Sequence, residues 1–242
     1  MRAKLYSLSL SHPAHAARLM LELKKVEHEV VDCLPGMHPV QVRFAGFRGS
    51  TVPALRLDGR RIQGSREISR ALDQLVPEPR LFPVDHQRRA AVEAAEQWGA
   101  RELQPVPRKL FRWGVANRRE MRVWMAREVA RMPAPGLMAW ANVPVARYFA
   151  RVSAATDDEV RGALAALPSQ LDRVDRLIAE GVIGDGAAPN AADFQILCSV
   201  RALLAMEDLR ARIESRPCAA AAMRIQPDFP GPVPRFLPAD WV

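Results

Sequence analysis

The sequence predicts an α+β protein in which a small domain of strands and helices precedes an all-α helical bundle. Short β-prone runs alternate with helical patterns in the first part of the chain, whereas the later pattern is helical almost throughout. Between them, residues 76–83 carry three prolines, and proline cannot continue a helix. We therefore expect a first domain over residues 1–76, a linker over 77–84 and a second domain over 85–242.

The first domain begins with a strand, a helix and a second strand. Residues 3–8 form a short β-prone run, and residues 14–26 place Ala, Leu and Met at helical spacing behind Pro13. Proline suits the first turn of a helix, where its missing N–H is not needed. Residues 27–33 contain two adjacent valines and indicate a second strand, which the Leu-Pro-Gly sequence after it ends.

A short helix, a hairpin and a longer helix complete this domain. The short helix is expected over residues 39–44. Strands at 54–57 and 60–63 flank Asp58-Gly59, a pair that tolerates the positive φ of a tight turn. The next helix is expected to use Ser65 as its N-cap, since apolar residues follow at helical spacing. The order β-α-β-α-β-β-α is that of a thioredoxin-like layer.

The second domain is predicted to be all-α with an extended tail. Its helical patterns cover residues 85–113, with an interruption by prolines, then 118–132, 157–180 and 190–205, with shorter pieces to 223. Residues 226–242 hold five prolines. We expect this tail to be extended and to pack over the surface.

The composition excludes a disordered chain, a collagen-like protein and a disulfide scaffold. With 49% apolar and 26% charged residues, the chain is expected to fold around a real core. No apolar run reaches the length of a membrane span, and no signal peptide is evident, so a cytoplasmic location without membrane association is predicted. Cys33, Cys198 and Cys218 lie far apart in sequence, which indicates reduced thiols and no metal site.

The net charge of +8 is concentrated in one segment. Residues 86–151 contain 13 Lys or Arg and 5 Glu, so this segment carries the whole excess. A basic patch can bind nucleic acid, but the segment shows no aromatic-interleaved basic motif of the kind typical of such binders. A solvated basic helical surface is the favoured interpretation, and nucleic-acid binding stays the less favoured alternative.

The most informative motif lies at the first turn. The sequence Leu5-Tyr6-Ser7-Leu8-Ser9-Leu10-Ser11-His12-Pro13 resembles the first strand and active-site turn of serine-type cytosolic glutathione S-transferases, particularly the theta class. Ser11 falls on the serine of that motif, and His12 replaces a glutamine. The resemblance spans the whole chain, because that family also joins a thioredoxin-like domain to an all-α domain.

Ser11 is accordingly the predicted catalytic residue. A free thiol has a pKa near roughly 8.5, and only the thiolate attacks an electrophile, so donors must stabilise the anion. A serine hydroxyl at a helix N-terminus can do this, although Ser11 can also be a plain N-cap. Ser9 and Tyr6 are weaker candidates. The sequence leaves open whether His12 or His15 donates to an anionic ligand.

Two further motifs of the family indicate where glutathione binds. Val52-Pro53 resembles the Val-Pro turn that the family holds in the cis form, where a backbone pairs with the ligand's peptide. Ser65 and Ile68 match the family's Ser-x-x-Ile, in which a helix N-terminus binds the γ-glutamyl carboxylate. Gly64 replaces the usual acidic or amide residue, and Gln63 is a possible substitute. His12, Val52, Pro53, Gly64 and Ser65 are the predicted glutathione-binding residues.

The second domain carries one more family motif. Asn190 and Asp193 match its capping box, a folding element at the start of a helix. Pro105, Phe111, Trp113 and Trp124 are the candidate walls of a pocket for the second substrate.

The resemblance implies a homodimeric enzyme that joins glutathione, or a related thiol, to a small apolar electrophile. The alternative is a non-catalytic relative that binds a peptide-like ligand or a protein partner.

Overall fold

The structure is a computed structural model that describes residues 2–185 and 189–242. Met1, where the predicted first domain starts, lies outside the described residues. The strands are β1 (Ala3–Ser7), β2 (His28–Asp32), β3 (Ala54–Leu57) and β4 (Arg60–Gln63). The helices are α1 (His12–Leu23), α2 (His38–Phe44), α3 (Ser65–Leu75), α4 (His86–Trp98), α5 (Pro105–Asn117), α6 (Arg119–Trp124), α7 (Pro135–Ala141), α8 (Val143–Val152), α9 (Asp157–Ala179), α10 (Ala191–Leu204), α11 (Arg210–Ile213) and α12 (Pro217–Ile225).

The four strands form one mixed sheet in the order β2-β1-β3-β4. Strand β1 pairs parallel to β2 and antiparallel to β3, with Leu5 opposite Val30 on one side and Leu55 on the other. The two interior strands, β1 and β3, are therefore mostly buried, whereas the edge strands β2 and β4 are largely exposed. Asp58 and Gly59 both have positive φ in the hairpin between β3 and β4, which confirms the predicted turn. The predicted α+β class and thioredoxin-like layer are confirmed.

Prolines have a different effect in the helical part from the one expected. Pro105 and Pro107 lie in the first turn of α5, where proline is tolerated, so they start this helix. The segment before them, Gly99–Leu103, is a π-helical continuation of α4. The expected helix at residues 118–132 divides into α6 and a second π-helical segment, Met125–Val129.

Two helices escaped the sequence analysis. Helix α8 follows α7 almost directly, and each helix has a proline at one of its first two positions. Positive φ values at Arg131 and Ala134 turn the chain ahead of α7. Pro133 and the Pro135-Gly136 pair do indicate a break there. The positive φ values, however, fall on Arg131 and Ala134, which are not residues that usually adopt them.

Helix α10 is the centre of the helical part. Every residue of α10 except Arg201 is buried, and the helix packs against α1, α4 and α12. The predicted capping box starts it: the Asn190 side chain accepts from the N–H groups of Ala192 and Asp193, and Asp193 Oδ2 accepts from the Asn190 N–H at 2.8 Å. This local motif fixes where the most buried helix begins.

The tail is part of the core. Val233, Phe236 and Leu237 are buried, and Val233 forms a short parallel bridge with Met206. Phe236 packs so closely on Gly114 of α5 that a side chain there would overlap its ring. The tail is largely extended up to residue 238, as expected, but it adds buried side chains to the core as well as packing over the surface.

The remaining sequence predictions concern cysteines and membranes. All three cysteines are free and buried, and Cys33 is a small core residue. In the described residues, none of the helices combines the length and apolar character needed to cross a membrane.

Candidate active site

An open cavity of about 400 Å³ lies between the sheet and the helical part, a volume typical of small-molecule sites. The turn before α1, the loop before β3 and the start of α3 form one side of it. Helices α5 and α8 form much of the other side. The predicted catalytic and glutathione-binding residues all line this cavity: Ser11, His12, Val52, Pro53, Gly64 and Ser65.

Ser11 is the N-cap residue of α1, with extended backbone angles. Its carbonyl accepts from the N–H groups of Ala14 and His15, but its hydroxyl makes no capping hydrogen bond. Ser9, one of the fallback candidates, donates its hydroxyl to Asp32 at 2.9 Å. Tyr6, the other, is buried edge-on against Phe47. Ser11 is thus the candidate whose hydroxyl is left for a ligand.

The two histidines of this turn take different positions. His12 lines the cavity and donates from Nε2 to the Gln104 carbonyl at 3.2 Å, whereas His15 donates from Nε2 to the Ser9 carbonyl at 2.6 Å. Burial lowers the pKa of His12 to about 3, with a further contribution from Arg108. Burial also lowers the pKa of His15. Both rings are therefore neutral at pH 7.

The loop before β3 presents a free stretch of backbone. The Val52–Pro53 bond is cis, and the Pro53 carbonyl accepts from the Gly64 N–H at 3.0 Å. Within the described part of the chain, the N–H and C=O of Val52 have no hydrogen-bond partner. An extended peptide can pair with exactly such an unpaired strand edge.

Gln63 holds this loop and does not replace the missing side chain at position 64. Its Oε1 accepts from the Gly49 N–H at 2.9 Å, and its Nε2 donates to the Thr51 carbonyl at 2.7 Å. Both ends of the amide are therefore engaged within the protein. The suggestion that Gln63 substitutes in ligand binding is wrong.

Gly64, and not Ser65, is the N-cap of α3. Gly64 has φ of 102°, in the region that favours glycine, and Ser65 is the first helical residue. A Cβ added at Gly64 would overlap a carboxylate oxygen of Glu67. Gly64, which stands where the family carries an acidic or amide residue, thus leaves room for the Glu67 carboxylate. Glu67 itself lines the cavity.

Ser65 belongs to a chain of hydrogen bonds beneath the cavity. Its hydroxyl donates to Gln195 Oε1 of α10 at 2.7 Å. Gln195 Nε2 donates to Gln104 Oε1 at 2.9 Å, and the Gln104 carbonyl accepts from His12. Four elements that are distant in sequence are tied together here, which positions both sides of the cavity.

The predicted walls for the second substrate are mostly wrong. Phe111 lines the cavity, but Pro105, Trp113 and Trp124 are not among its lining residues. Trp113 is buried, donates to Asp157 at 2.8 Å and packs on Trp241. These aromatic residues serve the core, because their helices turn other faces to the cavity.

Several lining residues were missed by the sequence analysis. Arg108 and Arg112 of α5 line the cavity, together with His38 and Phe149, whose rings stack at 5.3 Å. Burial and nearby Arg112 lower the pKa of His38 to about 4. Of the missed lining residues, only Glu67 stands out in the sequence, because it is an acidic residue three positions after the N-cap of a helix. The arginines were hidden among the other basic residues of the segment.

Comparison with known proteins gives a family match for the first part of the chain. Residues 5–80 match the sequence model of the glutathione S-transferase N-terminal domain. The match runs from β1 to just beyond α3, and it agrees with the resemblance that the motifs of this part indicate.

The maleylacetoacetate isomerase of Mus musculus is 32% identical over 113 residues, which are 42% of this chain and 49% of that protein. The chain therefore spans about half the length of this curated relative.

Solved structures share the fold at low sequence identity. A glutathione S-transferase from Rhodospirillum rubrum F11 has a TM-score of 0.54 at 19% identity, over 91% of each chain. A maleyl pyruvate isomerase, a bacterial glutathione S-transferase of the Zeta class, has a TM-score of 0.56 at 21% identity. It is covered over 89% of its chain and covers 90% of this one. These similarities extend the shared fold to the helical part.

Proposed function

We propose that the protein is a glutathione-dependent enzyme in which Ser11 stabilises the thiolate of glutathione for attack on a small electrophile. One observation carries this proposal. The unpaired Ser11 hydroxyl, the unpaired backbone of Val52 and the N-terminus of α3 all face one cavity. This set offers a donor for a thiolate, a backbone edge for a peptide and an anion site for a carboxylate.

In this proposal, the first domain spans residues 1–76, and glutathione lies along it. Its cysteinyl backbone pairs with Val52 beside Pro53. Its γ-glutamyl carboxylate accepts from the first N–H groups of α3, which start at Ser65 and have no capping side chain. Glu67, which lies beside Gly64, accepts from the γ-glutamyl ammonium in place of the residue that the family carries there.

His12 acts through its position. Because its ring is neutral and its Nε2 is held by Gln104, it contributes an uncharged wall beside the thiol. The thiol proton passes to solvent, and the Ser11 hydroxyl donates to the sulfur anion. A carbon–sulfur bond then forms. Either a leaving group departs with its bonding electron pair, or a conjugated double bond is saturated when solvent donates a proton to the neighbouring carbon.

A glutathione-dependent isomerisation is the second candidate function. The observation that favours it is the similarity to an enzyme named maleylacetoacetate isomerase. Addition of a thiolate to a conjugated double bond allows rotation about that bond, and elimination then returns the thiol. The two functions differ in outcome, because transfer consumes glutathione and isomerisation does not.

A homodimer, a cytoplasmic location and glutathione itself as the physiological thiol are further parts of this proposal. The alternative is a non-catalytic relative that binds glutathione without turnover, and the experiment must distinguish it from the proposed enzyme.

The test combines calorimetry with titration of the bound thiol. We expect reduced glutathione to bind the wild type. Ser65→Ala should weaken this binding indirectly, because it removes the hydrogen bond to Gln195 that holds the start of α3 in place. Ser11→Ala should bind glutathione but raise the pKa of its thiol and slow conjugation of 1-chloro-2,4-dinitrobenzene. A hydrogen bond to a charged group contributes about 1.5–3 kcal/mol, so the Ser11→Ala substitution should slow conjugation by ~10- to 150-fold.

Ser169→Ala is the matched control, because Ser169 is exposed on α9 and lies outside the cavity lining. Its thiol pKa and turnover should equal those of the wild type. No glutathione binding at millimolar concentration would overturn the proposal. Binding with no turnover of any electrophile would favour the non-catalytic alternative.

A further inference from the structure

Two arginines on the cavity face of α5 have no anionic partner among the residues that the structure describes. Arg108 and Arg112 are four residues apart, so they share one face of the helix, and both line the cavity. Arg112 donates to the Ser153 hydroxyl and lies 5.3 Å from the centre of the Phe149 ring. In residues 2–185 and 189–242, Arg108 has no hydrogen bond, ion pair or ring contact.

Three other cations beside the cavity or in the core are paired with carboxylates. Lys109, the neighbour of Arg108 on the same helix, pairs with Glu159. Arg66 of the cavity lining pairs with the buried Glu96 at 3.2 Å, and the fully buried Lys24 pairs with Asp73 at 2.9 Å. Other partly buried arginines, such as Arg118 and Arg122, donate to backbone carbonyls instead. Among the described residues, Arg108 has neither kind of partner, and it lies where a ligand would bind.

The surroundings make this positive charge costly. Burial lowers the pKa of Arg108, and burial together with Arg108 lowers the pKa of Arg112 to about 10. Both arginines are still charged at pH 7. The two lining histidines, His12 and His38, are neutral. Glu67 is the one carboxylate among the described lining residues, and it forms no ion pair with either arginine. A partly desolvated charge without a partner is unfavourable, and an incoming carboxylate would relieve it.

The rest of this side of the cavity is apolar. Phe111, Val115, Met125, Val145 and Phe149 line it beside the two arginines. A ligand that fits here has an apolar body and one anionic end.

We infer that the second substrate of this site is an electrophile that carries a carboxylate, which binds to Arg108 and Arg112 while its apolar body packs on Phe111 and Phe149. Arg108 makes the direct contact, and Arg112 is oriented by Ser153 and Phe149. The inference rests on the proposed function, because the bound carboxylate places the reactive carbon near the thiol at Ser11. A carboxylate of glutathione itself has the same chemistry, and the experiment distinguishes the two sources.

The experiment compares an acid with its neutral ester. The probes are 4-chloro-3-nitrobenzoate and its methyl ester, which react at the same carbon. The glutathione sulfur forms a bond to that carbon, the carbon–chlorine bond breaks, chloride leaves and the thiol proton goes to buffer. Each kcat/KM is divided by the rate constant of the uncatalysed reaction, because the ester is intrinsically more reactive.

We expect the wild type to favour the acid by about 10-fold or more, since a charge-assisted pair contributes on that scale. Arg108→Met should remove most of this preference, measured as the ratio of the corrected kcat/KM for the acid to that for the ester. Arg108→Lys should keep part of it, because lysine retains the charge without the planar fork. Arg127→Met is the matched control: Arg127 is exposed and outside the cavity lining, so both probes should behave as in the wild type.

A binding measurement separates this inference from the proposed function. Calorimetry with 3-nitrobenzoate, which has no leaving group, needs neither glutathione nor turnover. Binding that weakens about 10-fold in Arg108→Met but not in Arg127→Met supports the inference even if glutathione does not bind. Equal preference for acid and ester, or no binding of 3-nitrobenzoate, overturns it. So does an Arg108→Met variant that weakens glutathione binding and leaves the acid preference intact.

Discussion

Buried histidines make the stability of this protein sensitive to acid. His12 and His38 have 5% and 7% of their surface exposed, and their pKa values fall to about 3 and about 4. The unfolded chain takes up protons near pH 6.5, whereas the native protein does not. The stabilising effect is therefore complete above pH 6.5 and is lost as the pH falls towards 4.

We expect His38→Gln to flatten the fall in unfolding free energy between pH 6.5 and 4.5. Each histidine contributes at most about 1.4 kcal/mol per pH unit in this range. Urea denaturation at several pH values measures the slope, and the exposed His86→Gln serves as the control. Burial raises the pKa of Asp193 to about 6, so this residue makes the unfolding free energy rise as the pH falls. The contribution is the same in the wild type and in the variants, and it therefore cancels when they are compared. A slope equal to that of the wild type would contradict the prediction.

At the scale of single elements, the start of α3 depends on a glycine. Gly64 combines φ of 102° with close contact to the Glu67 carboxylate. A residue with a Cβ meets two penalties there, one from the backbone and one from the carboxylate. The start of α3 is also where the γ-glutamyl group of glutathione is proposed to bind, so its geometry bears on both stability and the site.

Gly64→Ala should lower the free energy of unfolding by about 1–2 kcal/mol, as expected for a side chain forced to positive φ. Adding Glu67→Ala should recover only the part that comes from the carboxylate. Gly162→Ala is the matched control, since Gly162 lies within α9 with open space around it. That variant should be stabilised by roughly 0.5–1 kcal/mol. Equal effects of the two alanine substitutions, measured by denaturation, would refute the role of Gly64.

At the scale of the whole molecule, one glutamine joins the two parts of the chain. Gln195 of α10 has 4% of its surface exposed and bonds to Ser65 and Gln104, which lie on opposite sides of the cavity. Its amide is the central member of the chain of hydrogen bonds that ends at His12.

Gln195→Leu should destabilise the protein by about 1–3 kcal/mol, because the Ser65 hydroxyl and the Gln104 amide lose their buried partner. Thermal unfolding measures this, with the exposed Gln87→Leu as the control. The same variant should weaken glutathione binding, since it frees both sides of the cavity to move. An unchanged unfolding temperature would show that the chain of hydrogen bonds does not hold the two parts together.

The amino-acid sequence by itself determined the local features of this protein. The Asp58-Gly59 hairpin, the capping box at Asn190 and the position of Ser11 ahead of α1 were all predicted from a few neighbouring residues. In each, a side chain or a backbone angle acts on groups within about four residues, so the pattern in the chain contains the whole interaction. The family motifs of the first domain could be recognised for the same reason.

Tertiary packing determined which side chains meet. Ser65 and Gln195 are 130 residues apart, and Phe236 packs on Gly114 across a similar distance in sequence. Helical spacing could not decide that Phe111 and Arg108 face the cavity while Trp113 faces the core. An amphipathic pattern tells which residues are apolar, but the neighbours of each helix decide which face becomes core and which becomes pocket.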